Sequence, residues 1–206
     1  MIEEKFNTIY TSARTIAFLP SVRNIDRNAK NLSDDAKSSI QQIYNNLSTA
    51  ISVSELYIVD DAFNPNKINP ETKKLEEPIL SFDEFITSPK DIKSEKIVGE
   101  PEIEKYEYEQ YVNSILEYRK IKPVLCDEDL SKLNIPLLCG PEVITCDNTE
   151  FNRTKIDEDR MGILFTVPFY GNNSQLKGLV TVNIRSNEIR KWLPEKNYVL
   201  TNTAYQ

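Results

Sequence analysis

The chain has 206 residues, 39% hydrophobic and 28% charged, and its 58 Leu, Ile, Val and Phe residues supply enough apolar surface for a folded core. A formal charge of -7, from 25 basic and 32 acidic residues with no basic stripe, argues against a nucleic-acid partner. With no histidine, the chain cannot build a Ser-His-Asp or Cys-His nucleophile, a histidine base or an imidazole metal site, and its five glycines form no GxGxxG or GxxxxGK[ST] phosphate cradle.

No segment reaches the roughly 18 apolar residues that cross a bilayer, and the N-terminus lacks the basic-then-apolar layout of a signal peptide. Because Met1 leads directly into an amphipathic pattern, the chain is expected to be a piece of a longer protein.

Phe6, Ile9, Tyr10, Ala13, Ile16 and Ala17 recur at three- and four-residue spacing and predict a helix with one apolar face. Pro20 lacks an amide donor and crowds the preceding turn, so a break is expected there, followed by a polar stretch to Asn31. A second helix is expected behind Asn31 or Ser33. Asp34 and Asp35 would lie in its first turn, where the helix dipole favours negative charge, and Ile40, Ile43, Leu47 and Ala50 or Ile51 would form its stripe.

Residues 53 to 60, VSELYIVD, are β-branched and aromatic and read as the first strand. The following proline-bearing stretch reads as an extended loop. Asp60, Asn64 and Glu71 fall at positions one, five and twelve of a calcium loop, but Ala62 stands at the third position and Pro65 where the turn glycine is required, so no metal site is assigned. Ser81 to Ile86 reads as a short strand or helical turn, and 88 to 100 as loose polar chain.

Residues 102 to 120 read as a charged helix with Tyr108, Tyr111, Val112, Ile115 and Leu116 on its buried side. Pro123, Pro136 and Pro141 predict loops. Three β-rich runs follow, at 142 to 147, 162 to 170 and 177 to 185. GNNSQ at 171 to 175 has the composition of a hairpin turn that makes the last two antiparallel neighbours. A short helix from Ser186 to Pro194 is expected next, and then the start of a further strand at Tyr198, Val199 and Leu200. Cys126, Cys139 and Cys146 show no CxxC spacing. Cys126 and Cys139 would pair if the chain is exported, or all three are reduced thiols packed as small apolar groups.

The late strands are apolar on both alternating faces, which predicts a sheet covered on both sides, by the N-terminal helices and by loops and short helices. Polar residues within them then need partners. Thr181 and Asn183 share one strand face, as do Thr166 and Tyr170, and Thr145 and Asp147. Either an internal network satisfies them or they border a wet or ligand-filled space.

This order of elements, with the hairpin GILFTVPFYGNNSQLKGLVTVNIR as its most specific part, resembles the extracytoplasmic Cache domains, PAS-like sensors of bacterial histidine kinases, chemotaxis receptors and GGDEF proteins. It is most similar to the membrane-distal half of a double Cache module. The resemblance implies an α+β fold with a PAS-like antiparallel sheet, a long N-terminal helix on one face and a small-molecule pocket on a sheet face. It divides the chain into N-terminal helices (1–52) and a sensor domain (53–206), places it outside the cytoplasm in a membrane-anchored parent, and implies no enzymatic activity and no cofactor.

By the same resemblance, Asp147 matches the family's ligand-holding acid and Thr145 stands where its aromatic residue would be. Tyr118 and Arg119 are the loose counterpart of a helix-borne carboxylate grip. Asp147 and Asn148, with Thr145, Thr166, Tyr170, Thr181 and Asn183, are the expected polar lining, and Tyr118 and Arg119 are the outer contacts. Asp147 equally suits a cap on the loop entered at Asn148. The rival readings are a ligand-free module that forms homodimers through the N-terminal helices, and an enzyme using Cys146 or Asp147.

Overall fold

The structure, a computed structural model, describes residues 2–68, 75–83, 100–145 and 149–193. The amphipathic N-terminal segment forms helix α1 (Ile2–Phe18), which buries Ile9, Ala13, Ile16 and Ala17. Helix α1 stops short of Pro20, which then opens the short helix α2 (Pro20–Arg23), because a first helical turn has no use for an amide donor. The stretch expected to be polar up to Asn31 therefore brings Val22, Ile25 and Ala29 into the core. Helix α3 (Asp34–Ile51) begins behind Ser33, whose hydroxyl accepts the Ala36 amide at 3.2 Å. It buries Ile40, Tyr44, Leu47 and Ile51, while Ile43 is only partly covered.

Strand β1 (Val53–Asp60) follows after Ser52 turns the chain in the left-handed region at φ 61°. The remaining elements are β2 (Leu80–Asp83), α4 (Glu100–Ile121), α5 (Asp127–Lys132), β3 (Leu138–Ile144), α6 (Thr149–Thr154), β4 (Met161–Tyr170), β5 (Leu176–Arg185) and α7 (Ser186–Trp192). The five strands pair antiparallel in the order β2-β1-β5-β4-β3, and helices pack on both sides, so the fold is α+β. The turn between β4 and β5 closes as a hairpin, with the Gly171 amide donating to Gln175 O at 3.0 Å.

Several boundaries move. The strand expected over 142 to 147 runs instead from Leu138 to Ile144 and contains Pro141. That proline is tolerated because β3 is an edge strand whose register against β4 shifts between Cys139 and Glu142. Leu116, expected on the buried side of α4, is 47% exposed, whereas Glu107 and Tyr118 are buried. Cys126 and Cys139 are neither paired nor buried: both are free and exposed, and the Cys126 thiol donates to Asp129 Oδ2 at 2.7 Å. Asp60 faces Arg27, its Oδ2 lying 2.9 Å from Nε, and its Oδ1 accepts the Ala62 amide at 2.9 Å. Of the loose chain expected over 88 to 100, residue 100 instead opens α4, and 88 to 99 lie outside the described residues, as do Glu71, Cys146 and Tyr198 to Leu200.

Period two along the strands separates the two sheet faces. One carries Leu56, Phe165, Val167, Val180, Val182 and Ile184, all buried, and packs under α1, with the rings of Phe6 and Phe165 5.5 Å apart. The opposite face carries Glu55, Tyr57, Thr166, Thr181 and Asn183 under α4, where the rings of Tyr57 and Tyr111 are 5.8 Å apart. Cross-strand pairing of Glu55 with Asn183, Tyr57 with Thr181, and Thr166 with Thr181 sets these polar residues side by side. One face is hydrocarbon; the other sets these polar residues among the buried Val59, Leu164 and Leu179, and both are sheltered.

Candidate functional site

The site begins with strand register. Glu55 follows Ser54 and precedes the apolar run Leu56 to Val59 in β1, and the pleat turns it toward α4 together with Tyr57. Glu55 is 2% exposed, and its Oε2 accepts Asn183 Nδ2 from the neighbouring strand at 3.3 Å. The amide of Asn183 fits because β4 has glycine beside it: a Cβ on Gly162 would lie 1.9 Å from Asn183 Oδ1.

Helix α4 supplies the roof. Glu107 and Tyr111, one turn apart, are 1% and 0% exposed, and the Tyr111 hydroxyl donates to Glu107 Oε1. Burial first, and then the carboxylates of Glu107 and Glu55, push the Tyr111 phenol well above its ordinary value. Two acidic side chains from distant parts of the sequence therefore act on one buried ring. Arg185 closes the end of β5 near Glu55. Burial holds its pKa below the usual arginine value, against the opposing pull of Glu188, Tyr44 and Glu55.

Within this set Thr166 Oγ1, Thr181 Oγ1 and Asn183 Oδ1 are buried and have no hydrogen-bond partner among the described residues. Each such atom costs about 1–3 kcal/mol relative to its hydrated state. Two of them belong to directly paired threonines at the centre of the sheet.

No protein-family model, no curated protein and no solved structure matches this chain. The site is read from its own chemistry.

Of the expected lining, Thr166, Thr181 and Asn183 come together here, while Asp147 and Asn148 lie outside the described residues. Thr145 is buried beyond the end of β3, where its hydroxyl donates to Arg160 O at 2.9 Å. Tyr170 shares a strand face with Thr166 but sits near the hairpin, its hydroxyl donating to Lys122 O at 2.8 Å. Arg119 turns away from the sheet to donate to Asp61 O at 2.6 Å and lines a separate open groove of about 520 Å³.

Tyr118, expected as an outer contact, is fully buried and works as a structural pin. Its hydroxyl donates to Thr166 O at 2.5 Å, lies 3.1 Å from Pro136 O and accepts the Leu138 amide at 3.0 Å. We expect Tyr118→Phe to lower stability by about 2 kcal/mol, because it strips the Leu138 amide and the Thr166 carbonyl of a shared partner. Urea unfolding at unchanged m-value would measure the loss.

Glu55, Tyr57, Glu107, Tyr111 and Arg185 are the site residues that sequence reasoning passed over. A glutamate inside VSELYIVD was the available signal, since an acid within a strand expected to be covered on both faces needs a reason. Glu107 carried no such mark in a helix already rich in charge.

Proposed function

We propose that this chain is a non-enzymatic small-molecule sensing domain of the Cache type, from the extracytoplasmic part of a bacterial transmembrane signalling receptor. In this reading the ligand binds on the sheet face beneath α4, and occupancy is passed to the N-terminal helix. One observation carries it: Thr166 Oγ1, Thr181 Oγ1 and Asn183 Oδ1 lie buried and unpartnered among the described residues on that sheltered face. A guest that hydrogen-bonds to them removes a free-energy cost that a core with only a structural role has no reason to retain.

A physical route to α1 supports the second half of the proposal. The segment before β3 is held from both sides. Tyr118 of α4 contacts Pro136 O, and the next carbonyl back, Ile135 O, accepts the Tyr10 hydroxyl of α1 at 2.7 Å. Arg14, one turn further along α1, donates to Leu133 O at 3.1 Å. A ligand that binds one position of α4 better than another would shift this linkage by its differential affinity, and by no more than that.

Thermal unfolding with amines, amino acids, carboxylates and purines tests the reading. A true ligand at 100 times its dissociation constant adds about 2.7 kcal/mol, which for a chain of this size raises Tm by about 5–10 °C. Silence across the panel together with dimers joined through α1 would replace the sensor with the ligand-free interaction module.

A further inference from the structure

We infer that Cys126 and Lys122 form a peroxide-responsive modification site, in which oxidation of the Cys126 thiol joins its Sγ to Lys122 Nζ as a sulfenamide. The site lies between the end of α4 and the start of α5, uses none of the residues beneath α4, and does not depend on the sensing reading.

One carboxylate oxygen gathers the reacting groups. Asp129 is buried, and its Oδ2 accepts the Cys126 thiol at 2.7 Å and the Cys126 amide at 3.1 Å, and lies 2.6 Å from Lys122 Nζ. Sγ and Nζ touch the same atom, so their separation cannot exceed the sum of those two distances. The thiol's hydrogen bond first, and then that of the Lys122 ammonium, hold the Asp129 carboxyl down at about 2, so it stays charged and keeps both groups beside it. The backbone on either side is fixed. The Lys122 amide donates to Tyr118 O at 2.8 Å, Lys122 O accepts the Tyr170 hydroxyl at 2.8 Å, and Cys126 O accepts the Leu130 amide at 3.1 Å. Only the flexible stem of Lys122 has to swing to close the bond. Cys126 is exposed, so a small oxidant reaches it from solvent.

The step balances with one peroxide. The Cys126 thiolate attacks a peroxide oxygen, forming S–O and breaking O–O, and the hydroxide released takes one proton from the Lys122 ammonium to give water. Neutral Nζ then attacks the sulfenic sulfur, forming N–S and breaking S–O, and the second hydroxide leaves as water with another Nζ proton. Sulfur is oxidised and peroxide oxygen is reduced by the same electron pair. Cys139 is the comparison within the chain: it is also free and exposed, and makes no hydrogen bond to a lysine among the described residues.

Treatment of the full chain with hydrogen peroxide, followed by tryptic peptide mass analysis, makes the test. Trypsin does not cut before Pro123, so Lys122 and Cys126 stay together in the peptide 121–132, which contains no other cysteine. That peptide should lose two hydrogens without joining another, and dithiothreitol should restore it. In Lys122→Arg, which keeps a cation beside Asp129, this species should disappear and Cys126 should instead gain oxygen, as Cys139 should in both proteins. A wild-type peptide that stays unmodified, that only gains oxygen, or that joins Cys139 or Cys146 through a disulfide overturns the bridge. So does a two-hydrogen loss that persists in Lys122→Arg.

Discussion

Gly178→Ala is expected to destabilise the protein by about 3 kcal/mol or more, a fall in Tm of about 6–12 °C, because β5 passes too close to its neighbours for any side chain at this position. A Cβ there would lie 2.1 Å from Val59 O, a backbone atom fixed by the β1–β5 ladder, and 2.5 Å and 2.7 Å from ring carbons of Phe169. Gly178 pairs with Asp60 on one side and with Phe169 on the other, so the phenyl ring covers the place where a methyl group would go. Neither obstacle can rotate away, since one is main chain and the other is 1% exposed in the core. Gly171 supplies the control. A Cβ there meets only the ends of the Asn173 and Lys177 side chains, at 2.9 Å and 3.7 Å, and Gly171→Ala should cost little. Equal urea midpoints for the two variants would contradict the close approach of β1 and β5 on which the site's register depends.

The second large effect appears in alkali. Of the ten tyrosines, Tyr44, Tyr111, Tyr118 and Tyr170 all have phenols raised above their ordinary value of 10, with burial as the leading cause in each case. Burial pushes Tyr44 up to about 12, with the nearby Asp83 carboxylate adding to it. The sign follows from linkage. A group whose folded pKa exceeds its unfolded one contributes stability below the unfolded value and loses it as pH climbs toward the folded value. Above pH 10 each such tyrosine removes about 1.4 kcal/mol per pH unit. Spectrophotometric titration at high pH should therefore find these four missing from the reversible native curve, then released together in a slow step that coincides with loss of secondary structure. Reversible ionisation of all ten near the ordinary phenol value, with the fold intact, would show that the layer beneath α4 is open to water.

Much of the fold was legible because its elements are set by short-range rules. Helix α1 followed from spacing at Ile9, Ala13 and Ile16, helix α3 from the cap at Ser33, and the β4–β5 hairpin from apolar runs around a Gly-Asn turn. The errors fell where distant context overrides composition. Pro141 read as a loop breaker until its edge position and the register shift made room for it, and Leu116 read as core until α4 turned Tyr118 inward. Cys126 and Cys139 read as a pair or as packing groups, yet the structure leaves both exposed.

The amino-acid order alone determined which residues of a strand share a face, since the pleat has period two whatever surrounds it; Thr181 with Asn183 is one example. It determined the chemical exclusions too, because a chain without histidine has none in any conformation. Only the tertiary structure decided which element covers that face, and so brought Glu107 and Tyr111 of α4 to Glu55 and Tyr57 of β1. It alone decided that the hydroxyls of Tyr118 and Tyr170 are occupied by backbone groups while those of Thr166 and Thr181 have no partner among the described residues. Whether a polar atom is satisfied depends on groups far away in sequence, and local periodicity carries no record of them.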